Sequence, residues 1–285
     1  MKKNVINLIK TKYFNLSKSQ KRISDYILKN HQKVAFMTAK ELSNESQVSE
    51  STVVRYAIAL GFNGYPELIE SIQESIKSKL TTIERFDLST NANLKGEDSF
   101  KNIMRNDIEN IRSTIKLNNQ ETVDLIADEL AKSNRIYILG LRSSKVLANY
   151  LHYYISLIFN ETFVKEIEAQ NVFDDLVNLK PGDVLVAIAF PRYSKLTIEA
   201  LKYAKDNDIT VVALTDSSLS PLNEYSKYTL LADLSISTFI DSLVAPMSLL
   251  NLLITSISIR YKETVQQKFE KLEKVWDEYG IYKDN

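Results

Sequence analysis

Two stretches of this 285-residue chain set an arginine among hydroxyls beside an expected helix start: "LRSSK", 141–145, and "PRYSK", 191–195. A guanidinium can hold a phosphate or carboxylate through two parallel N–H donors, and helix amino termini with serine hydroxyls are natural anion sites. Arg142, Ser143, Ser144, Arg192 and Ser194 are therefore the candidates for binding a small anion. A third loop, "SSLSP" at 217–221, is as rich in hydroxyls but has no arginine. Serine as N-cap and proline as helix starter explain much of this composition. They explain the two arginines less easily, although the arginines can equally pair with acidic residues across a dimer interface.

A second set lies in "ESQVSESTVVRYAIALGF", 45–62. Val48, Val53, Ala57 and Leu60 can share a core-facing side, while Ser49, Ser51, Thr52 and Arg55 gather opposite. Small hydroxyl residues at a helix start let its backbone approach a DNA groove. Arg55, one turn on, has the reach for guanine or a phosphate. Lys40, on the preceding segment, is expected at the phosphate backbone. An ordinary solvated face would have the same composition.

Capping signals place the elements that carry this second set. Ser17 with Gln20, and Thr38 with Glu41, have capping-box spacing, and Met37 with Leu42 have that of a hydrophobic staple. Ser49 is expected to cap the next helix, Gly61 to end it, and Pro66 to open another. A two-turn helix, a tight turn and a second helix make a helix-turn-helix. Residues 1–80 hold 13 Lys and Arg against 7 Asp and Glu, in a chain whose net charge is zero. A basic front half on an acidic back half points the front toward a polyanion.

The arginine loops belong to a different pattern. "RIYILG", "TFVKE", "DVLVAIAF", "TVVALTD" and "YTLLAD" are short β-rich runs, mostly separated by helix-length amphipathic segments. Near-continuous apolar strands alternating with helices imply a parallel sheet covered on both faces. Ligands of such sheets bind beyond the strands' carboxyl ends, where the three loops fall. "TTIERFDLSTNANLKGEDS", 81–99, is polar and turn-rich and reads as a linker. The expected organisation is thus an all-α helix-turn-helix domain at 1–80, the linker at 81–99, and an α/β domain at 100–285.

Composition removes other chemistries. There is no cysteine, and the two histidines, His31 and His152, stand far apart without a ligand motif. No metal or cofactor is expected. Each histidine reads as a surface or satisfied core residue. "SLVAPMSLLNLLITSISI", 242–259, is interrupted by Pro246, Asn251 and several serines, so it reads as a buried helix and not a membrane span. The amino terminus lacks a signal-peptide pattern, and a cytoplasmic protein is expected.

Residues 16–68, most specifically "VSESTVVRYAIALGFNGYPEL", resemble the amino-terminal domain of RpiR-type (MurR/RpiR) bacterial transcriptional regulators. Ser43 stands where alanine is usual, and Gln47 where glycine often makes the turn. Residues from about Leu130 to Tyr261, clearest in "PGDVLVAIAF" and "VVALTDSSLSPL", resemble the SIS (sugar isomerase) domain, which follows the helix-turn-helix in that family. The resemblance implies a five-stranded SIS-like sheet that binds a phosphosugar, as substrate in isomerases or effector in regulators. The family's first loop commonly reads G-x-G-x-S; here "GLRSS" keeps Gly140 and Ser144 and has Arg142 at the second glycine. Its second commonly reads S-x-S-G-x-T; in "AFPRYS", Ala189 and Pro191 replace the serines, Arg192 the glycine and Ser194 the threonine. "GLRSS" with "FPRYS" resembles a subgroup of these regulators.

The expected function is a ligand-responsive transcriptional regulator and not an enzyme. It would bind double-stranded operator DNA as a homodimer or higher homo-oligomer, and sense a small anion, a phosphosugar or related acid. A sugar-phosphate isomerase is the alternative, and it needs a base; Glu166, Glu168 and His152 exist, but no motif sets them at the loops. A regulator with a vestigial pocket would also fit the lost serines.

Overall fold

The computed structural model describes residues 5–76, 81–91, 97–159, 163–234 and 240–282. Two compact units divide the chain: residues 1–100 with 236–240, and residues 101–235 with 241–285.

The first unit is helical: α1 (Val5–Lys12), α2 (Lys18–Val34), α3 (Ala39–Glu45), α4 (Glu50–Leu60), α5 (Tyr65–Ile76) and α6 (Thr82–Asn91). Both expected capping boxes form, Ser17 with Gln20 ahead of α2 and Thr38 with Glu41 ahead of α3. Gly61 ends α4 in the left-handed conformation, φ 95°. Ile23, Ile27, Leu42, Val53, Tyr56, Leu60, Leu68 and Ile72 fill one core. The segment expected as a linker is different: it carries α6 and the start of the next helix, while 92–96 lie outside the described residues. Thr81 accepts from the Glu84 backbone N–H at 3.2 Å and its own N–H donates to the Glu84 carboxylate at 2.6 Å, so a further capping box starts α6.

The second unit opens with most of α7 (Glu97–Leu117) and α8 (Gln120–Lys132), then runs β1 (Arg135–Gly140), α9 (Lys145–Ile158), β2 (Phe163–Ile167), α10 (Val172–Leu176) and β3 (Val184–Ile188). It ends with α11 (Lys195–Asp206), β4 (Thr210–Thr215), β5 (Tyr228–Leu231), α12 (Val244–Arg260) and α13 (Lys262–Glu278). All strand pairs are parallel, in the order β2-β1-β3-β4-β5. Alternation along the strands builds two cores. Ile136, Ile138 and Val186 face α8, α9 and α12, whereas Tyr137, Leu139 and Leu185 face α10 and α11. Asn118 closes the β5 edge, its side chain donating to the Leu231 carbonyl at 2.7 Å and accepting from the Leu231 N–H at 2.9 Å. α12 packs Leu249, Leu250, Leu253 and Ile257 into a core, as its interrupted sequence led one to expect. Among the described residues no single helix is long and apolar enough to cross a membrane.

Candidate functional site

In the first unit, α3 and α4 meet through a turn that Gln47 makes at φ 53°, the conformation a glycine would adopt without strain. The Gln47 and Val48 N–H groups donate to the Asn44 and Ser43 carbonyls, and Ser43 is buried with its hydroxyl on the Lys40 carbonyl at 2.8 Å. α4 is held from three sides. Tyr56 shares a buried 2.9 Å hydrogen bond with Ser24 of α2, and Lys12 of α1 reaches the Ala59 and Leu60 carbonyls, each at 3.1 Å. The third hold is Arg22, whose guanidinium reaches the Gln47 carbonyl at 3.5 Å. On the far side, Ser49, Ser51 and Arg55 are exposed and Thr52 half-buried, with Lys40 exposed on α3.

One detail departs from expectation. Ser49 occupies the N-cap position of α4, but its hydroxyl makes no capping bond. It lies 3.0 Å from the Ser51 hydroxyl and 2.8 Å from that of Thr52. Three hydroxyls thus cluster at an open helix amino terminus, the place where a backbone phosphate is best received.

In the second unit, the chain leaves β1 toward β2 through α9 on one face of the sheet, and leaves β3 toward β4 through α11 on the other. β1 and β3 are neighbours, with Gly140 opposite Ile188. Their carboxyl ends therefore flank the topological switch point, where open α/β sheets hold ligands. Both candidate loops lie there, "LRSSK" after β1 and "PRYSK" after β3. Gly140 is needed for the close approach of α9, since an added Cβ would sit 2.5 Å from the Ser144 carbonyl oxygen.

Both loop arginines have a glycine-like backbone: φ is 57° at Arg142 and 71° at Arg192. Each is exposed. Ser144 and Ser194 stand at the N-cap positions of α9 and α11, yet neither hydroxyl caps its helix. Ser143 is exposed beside them. In the first turn of α11, the Thr197 hydroxyl is buried without a hydrogen-bond partner. "SSLSP" behaves differently: Ser220 accepts from the Leu222 N–H and Pro221 opens a 3-10 turn, so here capping accounts for the residues.

The sequence reading missed a buried clamp on the second loop. Tyr193, next to Arg192, donates to the buried Asp216 carboxylate at 2.5 Å, and the Thr215 hydroxyl lies 3.2 Å from the same oxygen and 2.8 Å from that of Ser220. Burial, with the Asp216 charge beside it, pushes the Tyr193 phenol far up, so it stays a donor. The isomerase candidates each meet a polar neighbour. His152 meets the Val164 carbonyl at 3.4 Å, the Glu168 carboxylate accepts from Gln170 at 2.5 Å, and Glu166 faces the Asn149 amide. His31 is half-buried, with Nδ1 unpartnered.

The helix-turn-helix domain of the rpiR family matches residues 3–79, and the SIS domain matches residues 129–256. A HTH-type transcriptional regulator of Haemophilus influenzae is 30% identical over 80% of this chain and 79% of its own length. The chain belongs to the RpiR-type transcriptional regulators. HTH-type transcriptional regulator HexR of Pseudomonas aeruginosa is 24% identical over 99% of this chain and the whole of its own. Among solved structures, the sugar isomerase domain of the RpiR transcription factor from Sphaerobacter thermophilus has the same fold, with a TM-score of 0.58 at 24% identity over 61% of this chain and 97% of that one. Vibrio vulnificus NanR, solved with ManNAc-6P, superposes with a TM-score of 0.54 at 23% identity over 95% and 99% of the two chains. The protein is thus a transcriptional regulator with a helix-turn-helix and a SIS domain.

Proposed function

We propose that this RpiR-type regulator binds operator DNA through α3 and α4 and senses a small anion at the β1–β3 switch point, without catalysing a reaction on it. Lys40, Ser49, Ser51, Thr52 and Arg55 form the DNA face, and Arg142, Ser143, Ser144, Arg192 and Ser194 the anion site. The observation that carries the second half is the pair of left-handed arginines on adjacent loops. A side chain in that conformation costs about 1–2 kcal/mol at each position, so a structural filler would more readily be glycine. The uncapped amino termini of α9 and α11 and the unpartnered Thr197 hydroxyl add donors at the same edge of the sheet. NanR is complexed with ManNAc-6P, which makes phosphosugars the first class to test. His152, Glu166 and Glu168 are engaged as described, which favours sensing over isomerisation.

A homodimer suits this function, because two heads read two related half-sites. Exposed Ile259, Phe269 and Val275 on α12 and α13 offer apolar surface for self-association.

The test is thermal melting of the full chain with a panel of phosphosugars and sugar acids. A bound anion raises Tm by mass action. Arg142→Ala and Arg192→Ala should each remove most of the shift, since a charge-assisted bond is worth about 1.5–3 kcal/mol, roughly ten- to over a hundredfold in affinity. Arg192→Lys should recover little. An unchanged shift in both alanine variants would remove the arginines from the site.

A further inference from the structure

The DNA-reading face of α4 contains two residues for which hydrogen bonding gives no account. Val54 is 38% exposed and Ile58 55% exposed, although Val53, Tyr56, Ala57 and Leu60 already supply the buried side of the helix. At 100° per residue, Ser51, Arg55 and Ile58 lie along the middle of the outward face, and Val54 flanks them. The apolar residues are thus continuous with the hydroxyl cluster and with Arg55. Branched aliphatics gain nothing for an exposed helix, where alanine is the better former.

The major groove displays a single apolar group, the 5-methyl of thymine. We infer that Val54 and Ile58 read thymine methyl groups beside the base contacted by Arg55, making A·T pairs at those positions part of the operator's specificity. Four residues advance a helix by about 6 Å, so the two side chains reach about two base-pair steps. The inference rests on the proposed DNA face and adds which bases flank the arginine contact. A second protein seated on the same face is the rival occupant, and the test separates the two.

Full-length protein would first select an operator from random duplex DNA. Each thymine of one half-site is then replaced in turn by deoxyuridine, which removes only the methyl. For wild type, at least one replacement should weaken binding about fourfold, the factor for one buried methyl group. Val54→Ala or Ile58→Ala should abolish that sensitivity at its own position and leave discrimination at the base contacted by Arg55 intact. Both substitutions are on the surface, so Tm should hold or rise. Indifference of wild type to every replacement, or equal sensitivity in both variants, would overturn the thymine reading while leaving operator binding standing. Failure to enrich any sequence would overturn the DNA face itself and this inference with it.

Discussion

Arg142 and Arg192 invite a comparison that alanine scanning alone would blur. Alanine at φ 57° or 71° keeps the Cβ that makes this conformation unfavourable, whereas glycine releases it. Without ligand, Arg192→Gly should therefore melt above Arg192→Ala, by a difference equivalent to about 1 kcal/mol, while both lose the anion-induced shift. Equal melting of the two would mean the loop relaxes and holds no strain. On the DNA face the two cations should separate by what they touch. Arg55→Ala should weaken operator binding by about 1–3 kcal/mol and relax one position per half-site. Lys40→Ala should weaken operator and scrambled duplex alike and lower the salt slope by about 1. Titrations of both variants at several salt concentrations give the answer. The two loop arginines stand out in the sequence because arginine in a hydroxyl-rich loop is chemically unusual. The Tyr193–Asp216 clamp was not, because its partners stand 23 residues apart and meet only once two strands are registered.

At the scale of elements, the helix-turn-helix turn is the informative one. Gln47 makes it at φ 53°, so Gln47→Gly should raise the stability of the first unit by about 0.5–1 kcal/mol, read from urea unfolding followed by helical circular dichroism. α3 also sets an acid response. The Thr38 backbone and hydroxyl hold the Glu41 carboxyl below the usual range, and Tyr26 with Lys33 do the same for Glu45. Carboxyls depressed in the folded state stabilise it fully above their unfolded values, near pH 4.3, and lose that contribution as pH falls through the folded ones. Tm should drop between pH 6 and pH 3, and less in Glu41→Gln, which keeps the capping bond without the titration. The capping boxes at Ser17 and Thr38 were readable since apolar periodicity follows each. Thr81–Glu84 has the same signature, but Ile83 and Phe86 of α6 are exposed. The polar composition of 81–99 outweighs that signature, so a helix reads as a linker. At Ser49 the cap position was readable, while the hydroxyl's partner was decided by competition among three neighbouring hydroxyls.

For the whole molecule, the alternation of strands and helices was enough to expect the parallel sheet, and the strand order then brought two loops 50 residues apart in sequence to one switch point. A regulator needs more than two sites: the anion must bind better to one DNA-affinity state of the protein than to the other. That requirement is a free-energy coupling, and coupling between binding sites is reciprocal. If the strongest anion from the melting panel changes operator affinity by some factor, saturating operator should change affinity for that anion by the same factor. A typical coupling is about 5–150-fold. Calorimetric titration of the anion with and without operator duplex gives one factor, and operator titration with and without the anion gives the other. Scrambled duplex at the same concentration controls for nonspecific charge. Matching factors clearly different from one would identify the anion as an effector, and the loss of both in Arg192→Ala would tie its action to the β1–β3 loops. An anion that raises Tm yet leaves operator affinity unchanged would instead be a ligand of the SIS fold with no regulatory role.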